Sequence, residues 1–160
     1  MSDPLADLAL IEAATRAAGE VALSYWKLDP RQWDKGDEAG PVSEADIAVN
    51  DLLHRDLIGA RPDYGWLSEE TADDTARLAC DRVFIIDPID GTRAFLAGED
   101  NFAISVAVAE RGRVVAGAVF LPAKARMYTA TIAGPACVNG QPIGVSSQSD
   151  IVAARVLTQK

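Results

Sequence analysis

From residue 102 to residue 109 the chain alternates without a break. Phe102, Ile104, Val106 and Val108 are large and apolar; Ala103, Ser105, Ala107 and Ala109 are small. Strict period two predicts a strand, and its small-residue face suits the close approach of a helix. "ERGR" supplies a turn and "VVAGAVFL" returns, so this region constrains the fold to an antiparallel pair at least. "MYTAT" and "PACV" follow, and then Asn139-Gly140, the strongest two-residue hairpin signal. Upstream, residues 83–86 read as a buried strand, and "GWLSEE" as a short strand ending in acids.

The N-terminal part has the other period. Asp3-Pro4 looks like a cap followed by proline at the first helical position. Leu8, Ile11, Ala14, Ala18, Val21 and Tyr25 then recur at helical spacing, predicting a helix over residues 4–27 ended by Pro30. Residues 31–42 read as a charged, mobile loop. In "VSEADI", Ser43 can cap a second helix over 44–59, with Asp46 at the third helical position. Val42 and Ile47 form a hydrophobic staple, and Ile47, Leu53 and Leu57 point inward. The whole predicts an α+β fold, two helices packed on a mostly antiparallel sheet with the helices on one face.

A chain of 160 residues with 49% hydrophobic and 24% charged residues can bury one core. Its formal charge of −9 argues against a nucleic-acid or anionic-membrane partner, both of which need a basic patch. An anionic small substrate is compatible with that charge if a bound cation inverts the local field. Cys80 and Cys137 are too few for a disulfide framework, which predicts buried free thiols and a reducing cytoplasm. No apolar run is long enough to span a bilayer, and "MSDPLADLAL" lacks the basic start of a signal peptide.

The chemistry concentrates in "FIIDPIDGTRAFLAG", where a greasy strand runs into Asp87 and Asp90. Read singly, Asp90 caps a short helix and Asp87 ends a strand. Glu69 and Glu70 also end a strand, however, and Asp46 opens a helix. Three acidic clusters aimed at one place make sense around hard cations, and magnesium takes carboxylate oxygens completed by water and phosphate. The backbone N–H groups at Gly91 and Thr92 would add a phosphate cradle. A phospho-aspartate route of the haloacid-dehalogenase type requires Asp-x-Asp-Gly-Thr. Here Pro88 stands two residues before Asp90. His54, the only histidine, lies mid-helix and reads as a solvated or packing residue.

Taken in order, "PVSEAD", "WLSEE" and "DPIDGTRAF", with the later "GPACVNGQPI", resemble the inositol monophosphatase family. These are magnesium-dependent, lithium-sensitive phosphatases that include 3′(2′),5′-bisphosphate nucleotidases and some histidinol-phosphatases. The resemblance implies that Glu69, Asp87 and the main-chain oxygen of Ile89 hold a first metal, with Asp87 and Asp90 holding a second. Two or three Mg2+ ions would fill a complete site. It also implies that Asp90, Gly91 and Thr92 meet the substrate phosphate, while Thr92 paired with Asp46 activates water, assisted by Glu69. Lys35 matches a basic position in the mobile loop, and Glu70 takes a supporting role. "DGTRAF" leans toward the nucleotidase and histidinol-phosphatase branches, against the "DGTTNF" of inositol-specific members.

Relatives in that family are longer by about a hundred residues, and their second half adds a Trp-Asp aspartate to the second metal. Trp33-Asp34 precedes the first motif and does not supply it. Residues 151–157 read as a strand beginning that half. The expectation is therefore an N-terminal metal- and phosphate-binding domain over residues 1–160, without its C-terminal partner. Such a chain would bind magnesium weakly, hydrolyse phosphomonoesters poorly and expose a sheet edge that favours homodimers. A non-catalytic metal- or phosphate-binding remnant is the alternative of a different class. For either, the ligand is a small phosphorylated metabolite.

Overall fold

The structure is a computed structural model that describes residues 3–34, 36 and 40–155. Asp3 opens α1 (Pro4–Tyr25), its carboxylate accepting the Leu5 N–H at 3.0 Å. The helix ends before Pro30, because Trp26 turns out of it and Lys27 and Asp29 take positive φ of 64° and 52°. That turn lays the Trp26 ring against Phe102, with centroids 5.7 Å apart. The expected loop is partly a hairpin: β1 (Gln32–Asp34) pairs antiparallel with β2 (Pro41–Ser43). α2 (Glu44–Ala60) follows directly.

The rest is a single sheet of seven strands in chain order. These are β3 (Gly65–Ser68), β4 (Arg82–Asp90), β5 (Ala103–Glu110), β6 (Arg113–Leu121), β7 (Arg126–Thr131), β8 (Cys137–Val138) and β9 (Gln141–Pro142). A short helix, α3 (Thr92–Leu96), lies between β4 and β5. β3 runs parallel to β4, and every later pairing is antiparallel. Both tight turns carry positive φ at their two central residues, Arg111-Gly112 and Asn139-Gly140, as a hairpin twist demands.

α1 and α2 cover one face of the sheet, but the face differs from the expected one. Ile104, Val106 and Val108 enter the core with Ile11, Ala14, Ala18, Ala22, Leu53 and Leu57. The small residues that permit close packing are supplied by the helix instead. A Cβ on Gly19 of α1 would stand 2.4 Å from the Phe120 ring of β6. The small-residue face of β5 lies on the opposite side, where Ile85 and Val119 are 38% and 36% exposed.

Sequence reading missed a buried polar cluster. Asp7, fully buried in α1, accepts hydrogen bonds from the Tyr64 hydroxyl at 3.0 and 3.1 Å and pairs with the Arg82 guanidinium. Arg82 also donates to Glu110 at 3.0 Å, so helix, β4 and β5 are fastened at the start of β4. Cys80 and Cys137 are free and only half-buried. Residues 151–153 form a 3-10 turn rather than the start of a strand. No described helix is long and apolar enough to cross a membrane.

Candidate active site

The parallel pairing of β3 with β4 brings two acidic segments to one place. Ser68 is in register with Ile86, and the Glu69 N–H continues the ladder, donating to the Ile86 carbonyl at 3.3 Å. Glu69 therefore falls beside Asp87 because both strands point the same way. An antiparallel β3 would have left it at the far end.

A bulge then gathers the two aspartates. Asp87 pairs with Ser105 and Asp90 with Ala103, three steps along β4 against two along β5. Residues three apart in a regular strand face opposite sides. The extra residue restores both carboxylates to the side carrying Ser105 and Ala103. Pro88 and Ile89 fill the bulge and are buried, Ile89 within the core cluster.

Asp46 arrives from α2 and divides its two oxygens. Oδ2 accepts the Ser43 N–H at 2.8 Å and the Ser43 hydroxyl at 2.6 Å, completing a capping box. Oδ1 faces the Thr92 hydroxyl at 3.1 Å. The capping box and the contact to Thr92 coexist on one buried carboxylate. The Thr92 hydroxyl also lies 3.0 Å from the Ile89 carbonyl. Thr92 is placed by Gly91, whose φ of +90° and 2.8 Å approach of a would-be Cβ to the Asn101 carbonyl admit only glycine. α3 spans just Thr92–Leu96, little more than one turn.

Electrostatically these acids form one group. Burial first, and then the charges of Glu69, Asp90, Asp46 and Glu70, push the Asp87 carboxyl up to about 7. All the clusters singled out in the sequence thus act on one carboxylate. Among the described residues, no three His, Cys, Asp or Glu side chains already stand in ligand geometry. The donors are all hard oxygens, nonetheless, and their mutual repulsion is of the kind a divalent cation relieves. Lys35 lies outside the described residues. Beside the acids is an open cleft of about 350 Å³, lined by Trp33, Val42, Ile47, Glu69 and Glu70 among others. His54 is exposed and packs edge-on against Trp66, 4.9 Å between centroids, in keeping with its reading as a solvated or packing residue.

The sequence reading overlooked Asn50, Ser68 and Thr71, which form a hydrogen-bonded set behind Glu69 and Glu70. Asn50 carried a usable signal. It lies four residues after Asp46, on the same face of α2.

Over residues 4–160 the sequence matches the profile of the inositol monophosphatase family. The chain belongs to the inositol monophosphatase family. An inositol-1-monophosphatase of Rhizobium meliloti is 34% identical over 139 residues, covering 87% of this chain and 52% of the relative. A 3′-phosphoadenosine 5′-phosphate phosphatase of Mycobacterium bovis is 41% identical over 115 residues, 66% of this chain and 43% of the relative. Among solved structures, the extragenic suppressor protein suhB from Bartonella henselae superposes with a TM-score of 0.83 at 30% identity. The match covers 89% of this chain and 55% of that one. The chain spans about half the length of the curated relatives it matches.

Proposed function

We propose that this chain carries the metal-holding and water-activating part of a magnesium-dependent phosphatase for small phosphomonoesters of the inositol monophosphate type. The observation that carries this reading is the Thr92–Asp46 contact at 3.1 Å, set beside an Asp87 carboxyl that four other acids surround. Glu69, Asp87 and the Ile89 carbonyl would hold one cation, and Asp87 with Asp90 a second. Bound divalent cations would acidify a coordinated water and offset the charge of the phosphate.

The chain's own groups supply the rest. With its hydroxyl proton directed at Asp46 Oδ1, Thr92 presents an oxygen lone pair that can take a proton from the attacking water. Ser43 grips Asp46 Oδ2 through both its N–H and its hydroxyl, so the carboxylate cannot swing away from Thr92. Glu69 would assist the same water. The backbone amides of Gly91 and Thr92 would meet the phosphate, as separate donors rather than through a macrodipole, since α3 is so short.

A second substrate reading, a 3′(2′),5′-bisphosphate nucleotide, is favoured by the 41% identity to a phosphatase named for 3′-phosphoadenosine 5′-phosphate. The decisive experiment titrates Mg2+ into the chain and follows phosphate release from inositol 1-phosphate and from 3′-phosphoadenosine 5′-phosphate. Saturable binding with release, both abolished by Asp87→Asn, supports the proposal. Binding without release selects a non-catalytic metal-binding module, and absence of binding refutes the site.

A further inference from the structure

We infer that Asn50 is a positioning residue that locks the 69–71 turn to α2 and so fixes Glu69 relative to Asp87. The inference rests on the reading of Glu69 and Asp87 as cation ligands. Asn50 is 6% exposed and sits one helical turn beyond Asp46. Its Oδ1 accepts the Ser68 hydroxyl at 2.6 Å, and its Nδ2 donates to Thr71 Oγ1 at 3.1 Å. The Ser68 oxygen in turn accepts the Glu70 N–H at 3.2 Å, and Thr71 N–H reaches back to the Ser68 carbonyl at 3.4 Å. Thr71 Oγ1 also receives the Trp66 indole N–H at 3.4 Å.

Glu69 is consequently held from two directions. Its own N–H is tied to β4 through Ile86, and the residues before and after it are tied to α2 through Asn50. The same helix carries Asp46, and the same strand ends in Asp87. One neutral amide thereby couples three of the acid-bearing elements. Neutrality matters here. The turn must resist the repulsion of the surrounding carboxylates, and a carboxylate at position 50 would add to that repulsion while losing the donor to Thr71. An amide is acceptor and donor at once, which is what a hydroxyl on each side requires.

Groups that orient metal ligands typically govern affinity by 10- to 100-fold when removed. The test measures Mg2+ affinity of the full chain by calorimetric titration, alongside metal-free melting temperature, for the parent, Asn50→Leu and Thr71→Val. The dissociation constant for Mg2+ is expected to rise about 10- to 100-fold in Asn50→Leu, and by a smaller factor in Thr71→Val. A residue that served only packing would lower the melting temperature and leave the Mg2+ affinity of the folded protein unmoved, and that result overturns the inference. Thr71 is exposed, so Thr71→Val decides the matter where Asn50→Leu fails to fold. A parent chain that binds no Mg2+ refutes the ligand reading and the inference together. A parent that binds, with both variants unaffected, refutes the inference alone.

Discussion

Thr92 Oγ1 stands 3.1 Å from Asp46 Oδ1 across 46 residues of sequence, joining the start of α3 to the start of α2. If this hydroxyl handles the proton of the attacking water, Thr92→Val should leave Mg2+ affinity within about twofold while lowering phosphate release by at least ~100-fold. Thr92→Ser should keep most of the release. Loss of the hydrogen bond to the Asp46 carboxylate should cost about 1–3 kcal/mol in urea unfolding, a loss that leaves the chain folded under assay conditions.

The acids around Asp87 predict a pH signature of the metal-free chain. The folded Asp87 carboxyl is raised to about 7 by burial and by its acidic neighbours, against 3.8 unaltered. The folded state thus holds an extra proton between those limits, and stability should fall as pH rises from about 4 toward 7. Thermal unfolding across that window should show the decline. It should vanish in Asp87→Asn and flatten when Mg2+ is added.

Gly91→Ala probes the backbone beneath the site. The new methyl would meet the Asn101 carbonyl at 2.8 Å at a φ of +90°. Chemical denaturation should register a loss of at least about 1–2 kcal/mol, together with loss of Mg2+-dependent phosphate release as Thr92 shifts. An unperturbed melt would contradict the assigned conformation.

At the opposite end of β4, Asp7→Ala should be costly for a different reason. It takes the fully buried partner from the Tyr64 hydroxyl and from the Arg82 guanidinium, which keeps only its half-buried contact to Glu110. Removing one member of such a pair costs about 3–5 kcal/mol. Asp7→Leu combined with Arg82→Met should recover part of that loss, since the charges then left without this partner, Arg61 and Glu110, are only half-buried. Differential scanning calorimetry of the two variants distinguishes the outcomes.

Much of this was legible from residue order because the signals are local. The period-two run from Phe102, the capping box of Ser43 with Asp46, and Asn139-Gly140 each report on neighbours a few positions away. The acids at 46, 69, 87 and 90 were legible as a set because carboxylates at strand and helix ends need a shared reason. What escaped were features created by tertiary contact. Gly19 reads as a poor helix former until Phe120 lies against it. Asp7 reads as a solvated first-turn acid until Arg82 arrives from a strand 75 residues away. Asn50 looks like an ordinary helix residue until the 69–71 turn closes on it. The face of β5 that meets the helices was misassigned for the same reason. Alternation reveals that two faces differ, but not which partner brings the small side chains.

The bulge in β4 makes the three-residue spacing of Asp87 and Asp90 a matter of parity. Deleting either Pro88 or Ile89 would leave every acid and nearly the whole composition intact and would set two steps of β4 against two of β5, a regular ladder that still pairs Asp90 with Ala103 but has lost the bulge. Gly91 and Thr92 would keep their register, whereas the bend of the strand and the backbone carbonyl that faces the Thr92 hydroxyl would both change. A library of insertions and deletions through this protein should therefore find those two apolar positions, which carry no chemistry themselves, as intolerant of a change in length as the aspartates are of a change in charge.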